Sequence, residues 1–314
     1  MNMKRINLLL LGFVFALFTF GQARAQGFSD NFSTAQGYTG GNTSLDGQVG
    51  WSTNDPLNMD GTAGDTSFVS FLAGYTSGSS GAGNNSVAFG GYGAADGYYP
   101  GRIDPDLSKS FTTPIVNGDP SKSTALFTTD FAIIDSFDGS YPAKDIFGFD
   151  LRNSSDVSLV KFAFNPLTAT TSDLNIQWIK DGVVQTTANP ALLGNYDVGY
   201  QAKYRLSVAL TGTTFTSWIQ LLNSSNNVIQ TVNLVLNGAL SAGGTATDFT
   251  KTVMTWNLTN TTPTDPGVYG NAGSNYLIDN SISVTAVPEP STWAIAVGLV
   301  GLMAFHARRR RLMA

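Results

Sequence analysis

Catalytic chemistry in this chain would fall to aspartate. Of its 22 acidic residues, 21 are Asp; the single glutamate is Glu289, the single histidine is His306, and cysteine is absent. Residues 26–286 therefore contain no Glu, His or Cys. That excludes His-assisted nucleophile triads, thiol chemistry and His/Cys zinc sites. A two-carboxylate glycosidase would have to be built from Asp alone. The expectation is a protein that is not an enzyme, with no catalytic residue and no cofactor other than a structural Ca²⁺.

The candidates for that ion are Asp30, near the first strand, and Asp279, in the last. They meet if those strands are neighbours, because Ca²⁺ takes carboxylate and carbonyl oxygens. The alternative, which the sequence favours, is solvated or turn-capping aspartate. Asp145, Asp150 and Asp156 lack Ca-loop spacing and fit exposed strand faces. Trp51, Trp178, Trp218 and Trp256 offer ring faces to a sugar, yet a Trp inside a sandwich strand is more often core. Tyr92, Tyr98 and Tyr99, set among glycines in residues 90–101, either present rings to a sugar or fold over a sheet edge, the second being favoured.

The rest of the chain must position these groups. Met1 to Arg5 is a short basic start, residues 6–20 are almost wholly apolar, and Ala23-Arg24-Ala25 is a small-x-small pattern. This reads as a signal peptide over 1–25, cut after Ala25 by signal peptidase. Residues 26–286 are long enough for one large all-β domain. They carry 10 basic residues against 21 aspartates, a net charge of −11. Such a surface repels nucleic acid and anionic lipid.

Short strands with polar turns fill this domain. Residues 28–32, 66–72 and 86–89 read as early strands, followed by 125–134, 145–152 and 157–164. Leu174 to Ile179 meets a tight turn at Asp181-Gly182. In residues 203–210, Tyr204, Leu206, Val208 and Leu210 alternate with polar residues. Thr211-Gly212 then turns the chain into 213–222, and Asn223 to Asn227 turns it into 228–236. Residues 249–258 and 276–285 complete the set, the last with apolar even positions except Asn280. Together these predict a two-sheet antiparallel sandwich. The order of pieces resembles the concanavalin A-like jelly roll, with residues 204–208 and 213–219 as its middle hairpin and a last strand able to pair near the first. Laminarinase-type members of that fold use glutamates for hydrolysis, and none is available in residues 26–286. A galactose-binding-like sandwich is the runner-up.

Residues 287–314 form a separate unit. Pro288-Glu289-Pro290 precedes an apolar segment over 291–307, and Arg308, Arg309, Arg310 and Arg311 follow it. The prolines fix φ and keep the tripeptide extended. The 17 residues of the apolar segment would make roughly 26 Å of transmembrane helix, and the arginines would hold its end on the cytoplasmic side. This arrangement resembles the PEP-CTERM sorting signal of bacterial surface proteins. The resemblance implies recognition and cleavage by exosortase. It also implies a transient inner-membrane anchor with a periplasmic domain, then delivery to the cell surface or an exopolysaccharide matrix. The function expected is a non-enzymatic surface or matrix protein associated with exopolysaccharide or biofilm; the alternative is a lectin-like carbohydrate-binding module.

Overall fold

The computed structural model describes residues 27–38, 45–53, 70–73, 85–90, 106–112, 124–135, 146–166, 173–185, 197–199, 202–241, 243–257 and 275–287. Within them lie sixteen strands: β1 (Phe28–Asp30), β2 (Trp51–Thr53), β3 (Ser70–Ala73), β4 (Asn85–Gly90), β5 (Asp106–Ser110), β6 (Thr124–Asp135), β7 (Ile146–Arg152) and β8 (Ser158–Pro166). They continue as β9 (Asp173–Lys180), β10 (Val183–Val184), β11 (Asp197–Gly199), β12 (Lys203–Thr211), β13 (Thr214–Leu222), β14 (Val228–Ala239), β15 (Lys251–Asn257) and β16 (Asn275–Val287). Among the described residues no helix is long and apolar enough to cross a membrane. The expected signal peptide (1–25), tyrosine-rich loop, Asp145 and sorting segment from Pro288 onward lie outside the described residues.

The strands form two eight-stranded antiparallel sheets. The first runs β14-β13-β12-β6-β16-β4-β3, with β1 also on β16; the second runs β10-β9-β8-β7-β15-β5-β2, with β11 on β9. The chain passes repeatedly from one sheet to the other, as in a jelly roll. The two-sheet sandwich expected from the sequence is the observed fold. The first strand does pair with the last, Phe28 opposite Val284 and Asp30 opposite Ile282, and β12–β13 is the expected central hairpin.

Alternation explains which faces meet. On β6, Phe127, Phe131 and Ile133 face inward and are fully buried. Opposite them from the second sheet stand Phe147, Phe149 and Leu151 on β7 and Val160, Phe162 and Phe164 on β8. Phe131 packs against Phe149 and Phe164 with ring centroids 5.4 and 4.7 Å apart, so aromatic contacts join the sheets at their middle.

The differences from the sequence reading have local causes. The first strand stops at Asp30 because Phe32 has φ 53°, which an extended strand cannot accommodate. The central hairpin turns at Gly212-Thr213, one residue later than expected, with Gly212 at φ 55°. Three strands were not foreseen: β2 and β11, three residues each, are too short to alternate, and β5 has a single apolar residue, Leu107, to mark its inward face. Asp181 and Gly182, at φ 51° and 75°, make the tight turn that their types foretold.

One turn design occurs twice, in Asn153-Ser154-Ser155-Asp156-Val157 and Asn223-Ser224-Ser225-Asn226-Asn227. In each, the first Asn side chain accepts backbone N–H bonds from two and four residues later, all at 2.9 Å. The fourth residue takes positive φ, 66° at Asp156 and 63° at Asn226.

Candidate functional site

Asp30 and Asp279 both turn into the sandwich. Asp30 lies opposite Ile282 on β16, and Asp279 lies opposite Phe131 on β6. A bulge at Asn280 allows this, because the register shifts between Asp279 and Ser281. Inward residues therefore change from odd (Leu277, Asp279) to even (Ile282, Val284). The sequence expectation of one continuous even-numbered apolar face is corrected by this extra residue.

Each aspartate has its own partners. The Lys109 ammonium of β5 reaches across to Asp30 Oδ2 at 2.5 Å, pairing charges of opposite sheets inside the core. Trp51 Nε1–H points at both Asp30 Oδ2 (3.1 Å) and Tyr38 Oη (3.0 Å). The Lys109 ammonium also lies 4.9 Å from the Phe28 ring centroid. Burial pushes the Tyr38 hydroxyl far above the usual phenol range, and its bond to Asp30 adds to that. Asp279 Oδ2 accepts from Thr129 Oγ1 at 2.7 Å, and its Oδ1 accepts from the Ser281 N–H at 2.9 Å. Among the described residues, no group of three or more His, Cys, Asp or Glu is placed to hold a metal ion.

Burial raises the Asp279 carboxyl well above the ordinary range; the Thr129 bond opposes the shift, while Asp130 and Asp30 add to it. The folded state therefore holds this proton more tightly than the unfolded chain. Its contribution to stability is present below the ordinary carboxylate pKa and is lost as pH rises through the folded value. Asp279→Asn should raise the melting temperature near neutral pH, with the gap over wild type closing as pH falls toward about 4. Thermal melts of both proteins across that range check this; a pH-independent gap would contradict it.

The outward face of the second sheet carries an ion-pair cluster that sequence reasoning did not find. Arg152 reaches Asp150 (2.7 Å), Asp106 (3.0 Å) and Asp156 (3.4 Å), and Lys251 also pairs with Asp156 at 3.0 Å. Burial alone would lower the Arg152 guanidinium, but Asp150 and then Asp106 outweigh it and hold it up. Burial raises Asp106, with Arg152 partly offsetting the effect. Asp150 was expected on an exposed strand face. It is 3% exposed, enclosed by Arg152, by Ser158 Oγ donating at 2.6 Å, and beside buried Val253. Asp156 is exposed, but in the turn between β7 and β8 and not on the strand face expected.

Of the four tryptophans weighed as sugar-stacking candidates, three, Trp51, Trp178 and Trp256, are core residues. Trp178 packs on Phe215 and Trp256 stacks on Phe147. Trp218 differs. It is half-buried on the outward face of the first sheet, in a cross-strand row Ser283–Thr128–Ser207–Trp218–Asn233. The adjacent row is Ser281–Asp130–Arg205–Gln220–Thr231. There Arg205 grips Asp130 with two bonds, at 2.6 and 2.8 Å, and Gln220 Nε2 donates to Thr231 Oγ1 at 3.3 Å. The result is one indole set in a polar, neutralised surface.

At the C-terminal end, β16 is hydrogen-bonded on one side to β6 and on the other to β4 and β1, and it runs to Val287. Residues 286–311 match the PEP-CTERM protein-sorting motif. The chain carries a PEP-CTERM sorting signal. That motif implies export, processing by exosortase and a transient C-terminal membrane anchor before cleavage. It begins on the last two residues of β16.

A comparison with curated proteins finds no match. Among solved structures, the chain is similar to an endo-1,3-β-glucanase from Streptomyces sioyaensis (TM-score 0.44, 11% identity, 85% of this chain and 98% of that one). It is also similar to peanut lectin with a 9mer peptide (0.42, 12%, 84% and 98%). A third likeness is to the CBM2 module of the Lactobacillus casei BL23 phage J-1 evolved Dit (0.43, 10%, 83% and 96%). At these scores the likenesses carry no conclusion about ligand or catalysis.

Proposed function

We propose that this protein is a non-enzymatic surface or matrix component, released by exosortase and retained with exopolysaccharide outside the cell. The observation that carries the reading is the junction at Val287, where a strand still paired with β6 (Val287 opposite Thr124) passes directly into the PEP-CTERM motif. A cut at or after Pro288 would leave every described strand attached. The absence of Glu, His and Cys from residues 26–286 supports a binding or structural role over catalysis. Surface labelling of native cells tests the proposal. Labelled protein should co-extract with exopolysaccharide in wild-type cells and stay in the inner membrane in cells lacking exosortase. Equal surface labelling in both would overturn it.

Trp218 favours a second reading, a lectin-like carbohydrate-binding module. An indole face among amide and guanidinium groups suits a neutral sugar, whose C–H face stacks while its hydroxyls bond to Gln220 and Arg205. Trp218→Ala should weaken binding to exopolysaccharide from the native cells by about fivefold, from a stacking loss on the order of 1 kcal/mol. The melting temperature should change little. Affinity electrophoresis reads this directly, and unchanged retardation would remove the reading.

A further inference from the structure

The PEP-CTERM match takes in Ala286 and Val287, the last two residues of β16. These residues are held in the sheet. Thr285, Ala286 and Val287 lie opposite Leu126, Ala125 and Thr124 of β6. That part of β6 is backed in turn by β12, with Thr124 opposite Thr211 and their hydroxyl oxygens 2.9 Å apart. Ala125 is buried. Strand pairing thus reaches the residue next to the sorting tripeptide.

Between Val287 and Ser291, the first residue of the apolar segment, stand Pro288, Glu289 and Pro290. Four Cα-to-Cα steps span at most roughly 14 Å. Headgroups occupy about 6 Å on each side of a bilayer. While the anchor is inserted, the end of the sandwich that carries Val287 therefore rests at the membrane surface. Its residues suit that place. The row Val287–Thr124–Thr211–Thr214–Ala239 and the turn at Gly212-Thr213 carry no charge, although residues 26–286 have a net charge of −11.

We propose that exosortase takes up the chain only after Thr285, Ala286 and Val287 detach from β6, so that pairing at this end of the sheet sets the rate of processing. The inference rests on the sorting reading above. An enzyme that reads an extended segment does so through the segment's main-chain groups. In residues 285–287, one edge of those groups is already bonded to β6. The short tether supplies too little chain to fill a binding groove without them. Cleavage of a transiently opened segment follows the population of its open form. The opening required is local, because it lies beyond Val284, the last residue of β16 that β1 pairs. The rest of β16 stays in the sheet, and the cut end can pair with β6 again.

A disulfide staple tests this. Ala125 and Ala286 are directly opposite, at an antiparallel Cα spacing of about 4.5–5.5 Å that a disulfide bridges. The chain has no cysteine, so Ala125→Cys with Ala286→Cys creates a single bond of a kind that forms outside the cytoplasm. In pulse-chase labelling of native cells, the stapled chain should be processed about tenfold more slowly than wild type or worse, and each single variant at the wild-type rate. Inserting about ten Gly/Ser residues after Val287 should restore processing of the stapled chain, because the tripeptide then reaches the enzyme without β16. A stapled chain processed at the wild-type rate, or one that the insertion does not rescue, would overturn the proposal. Should the staple not form or the chain not fold, the insertion alone decides. It should speed processing of the otherwise wild-type chain, and an unchanged rate contradicts the proposal. Wild type left unprocessed in cells that contain exosortase would instead overturn the sorting reading, and this inference with it.

Discussion

Lys109→Ala should destabilise the folded domain by about 3–5 kcal/mol, a large share of the roughly 5–15 kcal/mol that holds a domain together. The Lys109 side chain is 9% exposed and that of Asp30 is 6% exposed, so removing the ammonium leaves a carboxylate inside the sandwich with no counter-charge. Trp51 Nε1–H remains as a donor to Asp30, but one neutral donor does not replace a cation. Because the pair joins β1 of one sheet to β5 of the other, its loss acts on sheet-to-sheet packing. Lys109→Met keeps most of the stem and separates lost charge from lost volume. Adding Asp30→Asn to Lys109→Met should recover most of the loss, since the unpaired charge disappears with its partner. Urea denaturation of the two single variants and the double variant forms the cycle. Additive costs, or a Lys109→Ala effect below about 1 kcal/mol, would contradict this view of the pair.

The sandwich was legible because most strands state their inward face in their own residues. Tyr204, Leu206, Val208 and Leu210 do so on β12, and Phe147, Phe149 and Leu151 do so on β7. The turns at Asp181-Gly182 and Asn223–Asn227 were equally plain, because positive φ demands particular residue types. The sites were harder to see. Asp30 and Lys109 are 79 residues apart and meet only because β1 and β5 end up in facing sheets. Nothing in Asp-Leu-Ser-Lys-Ser marks Lys109 as an inward residue. Asp279 was suspected as an ion ligand, but its inward orientation depends on the bulge at Asn280, and a single inserted residue leaves no periodic signature. Asp150 read as exposed because it alternates with phenylalanines. A buried ion pair on the far side of the same strand gives the same alternation. Trp218 could not be separated from the other tryptophans until the outward face of β13 was known.

Replacing Pro288-Glu289-Pro290 with three alanines should abolish release of the protein. The substitution leaves the apolar segment 291–307 and the four arginines in place, so the anchor persists while its processing handle is lost. It also removes both φ restraints, so helix can extend back from the apolar segment toward Val287 and take up the extended segment that the motif supplies. Nearly all of the protein is expected in the inner-membrane fraction, with a melting transition like that of wild type because β16 ends before the altered residues. Immunoblots of fractionated cells report the distribution. Undiminished release of the alanine variant would count against processing at this motif.

The most direct test of the sorting account is the intact mass of the protein recovered from its native cells, with its C-terminus sequenced. The account predicts a chain ending at or near Pro288-Glu289-Pro290 in the surface or matrix fraction, with residues 291–314 removed. A chain still ending at Ala314 and confined to the inner membrane would contradict it.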